Sequence, residues 1–161
     1  MFVKELEYTM RLLSLLFLLI AFNSFAVIDK AKYFTIFKVN SLPDIEAEIN
    51  FLKKEKQSQA KDAFLGAMIM KKAQFMKTPK DKLSLFKEGK ILLENAIAKE
   101  PKNIIYRFLR FVIQENCPKI LKYNTQIRTD SNIIRQNYKS LDKITKEFVR
   151  DYAKKSEVLN L

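Results

Sequence analysis

Arg107, Arg110 and Gln114 fall at steps of three and four along one apolar segment, Ile104–Asn116, so as a helix they share a face. Two guanidinium groups with an amide one turn on suit recognition of a carboxylate, such as an acidic peptide end or a sugar acid. Glu115 lies four residues from Phe111 and three from Val112, beside the apolar side of the same segment. A carboxylate there is costly unless it is paired. That leaves a second reading, an internal tie from Glu115 to an arginine, lysine or tyrosine of a neighbouring helix. Arg107, Arg110, Gln114 and Glu115 are the candidate ligand-binding residues, and no residue is assigned a catalytic or metal-binding role.

Other chemistries find little support. The chain has no histidine and a single cysteine, Cys117. Ser-His-Asp and Cys-His catalysis within one chain is therefore excluded, as is a zinc site of ordinary composition. Gly66 and Gly89 are the only glycines and both fall inside helical segments, so there is no phosphate-cradling loop. Glu46 and Glu48 point to different sides of a helix, Asp142 and Glu147 are poorly spaced, and Lys90 with Glu94 reads as a surface ion pair. No enzyme and no cofactor is expected. Cys117, beside Pro118, reads as a buried apolar thiol, with a disulfide between chains as the alternative.

The elements that must position these residues are helices. Helical periodicity recurs through the chain, with only two glycines and four prolines in 161 residues. Ala26–Val39 is a first helix, with Ile28, Ala31, Phe34 or Thr35, and Lys38 along one side. Ser41-Leu42-Pro43-Asp44 starts a second, burying Ile45, Ile49 and Leu52. Ser58–Lys77 follows, with Gly66 as a close-contact point. Thr78-Pro79-Lys80-Asp81 opens a fourth that runs to Lys99, turns Leu83, Phe86, Leu93 and Ile97 inward, and is stopped by Pro101. Asn103 caps Ile104–Asn116, Asn124 caps Thr125–Tyr138, and Ser140 caps Leu141–Lys155, which buries Leu141, Ile144, Phe148 and Tyr152. The tail Ser156–Leu161 is expected to fray. The expected fold is all-α, an antiparallel helical array.

The spacing Gly89-x-x-x-Leu93-x-x-Ala96-x-x-x-x-Pro101 resembles the second helix of a tetratricopeptide repeat, and Leu65-Gly66-x-x-Ile69 resembles part of its partner helix. That resemblance implies tetratricopeptide-like helix hairpins. Leu85–Glu100, with Tyr106-Arg107-Phe108-Leu109-Arg110 and Ile113-Gln114-Glu115-Asn116, resembles a small family of exported bacterial α-helical proteins, which implies export but no particular activity.

Export is also expected from the N-terminus. Met10-Arg11, the apolar run Leu12–Phe22 and Asn23-Ser24-Phe25-Ala26 have the anatomy of a secretory signal peptide. Residues 1–26 are read as that signal, translation starting at Met1 or Met10, and residues 27–161 as one α-helical domain. The apolar run is shorter than the roughly 20 residues a spanning helix needs, which favours cleavage over anchoring. The expected location is periplasmic or secreted. Lys and Arg number 30 against 18 Asp and Glu, a net charge of +12, and only six of the 30 are arginine. Nucleic-acid recognition favours arginine, so nucleic acid is not the expected partner. The expected function is a non-catalytic exported binding or scaffold protein that presents a helical surface to a peptide or protein. The alternative is a lysine-rich protein that binds anionic envelope polymers or lipid headgroups.

Overall fold

The computed structural model describes residues 28–161; the signal segment read at residues 1–26 and the choice of start lie outside them. The described residues are all-helical, without a strand. They form α1 (Lys30–Lys38), α2 (Leu42–Lys54), α3 (Gln59–Lys72), α4 (Pro79–Lys99), α5 (Ile104–Asn116), α6 (Ile127–Asn137) and α7 (Lys143–Ala153), with short 3-10 turns after α3, α5 and α6. No helix among them is long and apolar enough to cross a membrane.

α3 is the hub. It packs on α2, α4 and α5, and every residue from Ala63 to Met70 is buried. A helix apolar all round is one that others surround. The closest seam is with α4. A Cβ placed on Gly66 would meet the backbone O of Gly89 at 2.5 Å and the backbone N of Leu93 at 2.8 Å. Gly89 in turn abuts Gly66 and Met70, so α3 and α4 run antiparallel. The caps inferred at Thr78 and Asn103 are present, and Ser58, read as the first residue of its helix, caps α3 in the same way, each side-chain oxygen accepting a backbone N–H of the first turn.

Two helices sit in a different rotation from the one their periodicity suggests. α1 buries Tyr33, Phe34 and Phe37, while Lys38 on the expected line is exposed. The aromatic rings carry most of the removable area and set the rotation. Tyr33 meets Phe64 edge-on at 4.5 Å and donates its hydroxyl to the Phe64 carbonyl. α7 buries Thr145, Val149 and Tyr152, leaves Phe148 half-buried and exposes Ile144. Its rotation follows Phe148 stacking on Phe34 at 4.3 Å and Tyr152 meeting Phe108 and Phe111 edge-on. On α4, Leu83 points outward, 40 % exposed.

Three expected ends also differ. Ser41 flanks α2 without a side-chain cap bond. Gln126, not Asn124, precedes α6 and likewise makes no capping bond. Ser140 lies in a 3-10 turn, and Asp142 caps α7 through the backbone N and the hydroxyl of Thr145. The tail does not fray. Ser156 Oγ accepts from the backbone N of Val158 and of Leu159, the Val158 carbonyl accepts from Ser131, and Leu159 is fully buried. One apolar anchor with satisfied backbone partners offsets the ordering entropy of a short segment.

Asp142 also ties α7 to α1, since Lys30 Nζ reaches its Oδ2 at 2.9 Å. Burial raises the carboxyl's pKa, but the bonds from Lys30 and Thr145 outweigh it and bring it down to about 2. A depressed carboxylate pKa contributes stability above the unfolded value, lost as pH falls through the folded one. The window is therefore between about pH 4 and about pH 2. With the side chain 44 % exposed, screening limits the effect to about 0.5–1 kcal/mol. Denaturant melts at about pH 6 and about pH 2 should show Asp142→Asn losing less stability on acidification than the parent. Equal losses would show that Asp142 is not responsible.

Candidate functional site

The arginines of α5 turn toward a carboxylate of α6. Asp130 on α6 is completely buried, and Arg110 is 6 % exposed. Arg110 Nε donates to Asp130 Oδ2 at 2.7 Å and its Nη2 to Oδ1 at 2.9 Å, a two-pronged bond, while Nη1 reaches Glu94 Oε2 of α4 at 2.8 Å. Arg107 donates to Asp130 Oδ1 at 2.9 Å and to the Pro101 carbonyl at 2.7 Å. Tyr123 closes the cluster by donating to Glu94 Oε1 at 2.5 Å. Two cations thus meet two carboxylates, which leaves no net charge for a bound anion. Burial opposes the charge on Arg110, but Asp130 and then Glu94 outweigh it and raise its pKa. Burial and Glu94 raise the pKa of Tyr123.

The expected Lys90–Glu94 surface pair is replaced by this cluster. Glu94 turns to Arg110 and Tyr123, and the Lys90 ammonium sits over the Tyr123 ring at 4.9 Å. Gln114 is buried and its Oε1 accepts from the backbone N of Gln126 at 3.2 Å, bracing the start of α6. Glu115, half-buried, accepts from Tyr152 Oη at 2.8 Å, from Ser156 Oγ at 2.7 Å and from the Glu157 backbone N at 3.1 Å. The partner is a tyrosine together with the docked tail. Asp130, the residue that organises the arginines, escaped sequence reasoning. Its signal was an acid in the polar first turn of α6, indistinguishable there from a dipole-matching surface carboxylate.

A second feature lies at the other end of α5. The C-terminal ends of α1, α3, α5 and α7 and the N-terminal end of α4 converge around a half-open groove of about 570 Å³. Its floor is apolar: Phe37, Met70, Phe86, Val112 and Phe148. Leu83 and Ile120 stand at its margin, and Ile120 is 87 % exposed. Lys38, Lys71, Lys82 and Lys155 also line it, against the single carboxylate of Asp151. Asp151 is already shared between Lys38 at 3.8 Å and Lys154 at 3.1 Å. Among the described residues Lys71 makes no ion pair; its ammonium donates to Asn40 Oδ1 at 3.0 Å and lies 5.5 Å from the Phe37 ring. Lys155 lies over the Tyr152 ring. Burial, and then the neighbouring charge of Lys155, lower the pKa of Lys71. No spacing rule finds such a groove, because its walls come from five segments distant in sequence.

Cys117 lines the same groove, half-buried, its thiol 3.6 Å from the Gln114 carbonyl and 3.5 Å from that of Tyr123. Burial raises its pKa. Since the thiolate is the nucleophile, reaction with a thiol reagent near neutral pH should be about tenfold slower than for a free cysteine, and should accelerate on unfolding. A native-state rate equal to that of free cysteine would place the thiol in solvent.

Among the described residues no cluster of three or more Cys, Asp or Glu is arranged to hold a metal ion. No family model, curated protein or solved structure matches the chain.

Proposed function

We propose that this is a non-catalytic binding protein of the cell exterior, and that the lysine-lined groove between α1, α3, α4, α5 and α7 is its binding site. The carrying observation is an apolar floor, with Leu83 and Ile120 exposed beside it, surrounded by more ammonium groups than carboxylates. Pockets of roughly 300–1000 Å³, mostly apolar with a few convergent polar groups, are the usual form of a ligand site. The surplus of positive charge favours an amphipathic anionic ligand. It moves the weight from a peptide or protein partner toward the lipid-like class of envelope component. The Arg107–Arg110 face, closed by Asp130 and Glu94, is better read as scaffold.

We also propose that α3 and α4 pair as a tetratricopeptide-like hairpin. What supports it is the α3–α4 pair, in which Gly66 and Gly89 let the backbones touch, as small residues do in that repeat. Export rests on the N-terminal sequence and on the resemblance to exported bacterial proteins.

The test is saturable binding of anilinonaphthalene sulfonate, an amphipathic anion, to the folded protein. One site with blue-shifted emission is expected, lost in Leu83→Asp, a change at a partly exposed position that should leave the thermal melt cooperative. Dye binding that survives Leu83→Asp, or no binding at all, would reject the groove as the site.

A further inference from the structure

Resting on that reading, we infer that the natural occupant of the groove is a single-chain anionic amphiphile, a long-chain fatty acid, with its carboxylate between Lys71 and Lys155 and its acyl chain along Phe37, Met70, Phe86 and Val112. The groove, about 570 Å³, is of the size that takes one small ligand. An extended peptide would fit by width, but it brings one donor and one acceptor per residue. No strand borders the groove among the described residues, so it offers no sheet edge to an extended chain. A peptide pressed on that floor would leave its polar groups unsatisfied. An acyl chain carries none to satisfy.

The head group is set by the lysines. Lys71 and Lys155 both line the groove, close enough for one to oppose the other's charge, and neither makes an ion pair among the described residues. A carboxylate between them would remove that repulsion and gain charge-assisted hydrogen bonds. There is a competing role for Lys71, which lies in the last turn of α3, where a cation offsets the helix dipole. That role alone would make Lys71 matter for stability and not for affinity.

The experiment is competition by palmitate for the bound dye, with cetyl alcohol as the neutral chain and an acidic amphipathic peptide as the rival. Palmitate should displace the dye at a ratio of one to one, and the alcohol about tenfold more weakly. Lys71→Gln and Lys155→Gln should each weaken palmitate about three- to tenfold and leave cetyl alcohol unchanged. The inference fails if the dye binds in the groove but palmitate does not displace it. It fails equally if the acid binds no better than the alcohol, if the glutamine variants shift only the melting temperature, or if the peptide displaces the dye and palmitate does not. In all four cases the groove remains a binding site, with a different occupant or, for the third outcome, a head group placed away from Lys71 and Lys155. Loss of dye binding itself would instead remove the underlying functional reading.

Discussion

Asp130→Ala is expected to cost about 3–5 kcal/mol, because it removes one partner from a buried ion cluster and leaves the other charges desolvated. Arg110 loses two of its three charged bonds and stays enclosed, and Arg107 loses its only one. Glu94 compensates Arg110 in part, but it cannot reach Arg107 through any bond the fold provides. Against a typical stability of about 5–15 kcal/mol, the loss would leave the domain marginal. Asp130→Asn keeps the shape and one acceptor and should cost less. Arg107→Ala with Arg110→Ala should also destabilise, by at least about 2 kcal/mol, which separates a scaffold from an exposed binding face worth about 0.5 kcal/mol or less. Replacing Glu94, Arg107, Arg110 and Asp130 together by apolar residues of similar volume, with Tyr123→Phe, should cost far less than Asp130→Ala alone, because no charge is left buried without its partner. Chemical denaturation of the set, with an unchanged dependence on denaturant, is the measurement. An Asp130→Ala protein as stable as the parent would show that water reaches the cluster.

The parts of this fold that could be read in the sequence are those with local causes. Thr78-Pro79 and Asn103 start helices because their side chains satisfy the orphan amides of the very next turn, and Pro101 ends one because it cannot continue it. The close-contact role of Gly66 was also legible, since a glycine in the middle of an apolar helix costs about 1 kcal/mol unless something needs the space. Rotation was not legible in α1 and α7. There Ile28 and Ile144 compete with the rings of Tyr33, Phe37 and Phe148, and the outcome depends on which rings the neighbouring helices offer. Arg107 and Arg110 were found as a shared face, but the direction of that face was set by Asp130, 20 residues beyond Arg110. Glu115 was read as a tie to a neighbouring helix, and its tyrosine, Tyr152, lies 37 residues away. Its other partners belong to a tail expected to fray, which is docked by contacts no local pattern records.

Gly66→Val should be the most disruptive change in the apolar core. The α3–α4 seam has no side chain to yield on either side of Gly66: the atoms nearest an added Cβ are the Gly89 carbonyl oxygen at 2.5 Å and the Leu93 nitrogen at 2.8 Å, followed by the Leu92 Cβ at 3.0 Å. Relief therefore requires the two helices to separate, and α3 also packs on α2 and α5, so the displacement spreads. Gly66→Ala sets helix propensity against packing. Alanine gains about 1 kcal/mol over glycine in a helix interior, whereas overpacking a closed site costs about 1–3 kcal/mol. The backbone contact decides the sign, and a net loss is expected for Gly66→Ala and for Gly89→Ala. Valine adds two methyl groups to the same contact and a β-branched propensity penalty, so a loss of about 4 kcal/mol or more is expected. Asn95→Ala, on the exposed side of α4, isolates the propensity term and should stabilise by a few tenths of a kcal/mol. The double variant Gly66→Ala with Gly89→Ala should lose less than the sum of the two, because the first separation of the helices already makes room for the second methyl. Thermal and denaturant melts of these variants test the seam, and a Gly66→Ala protein more stable than the parent would mean that α3 and α4 do not touch through their backbones.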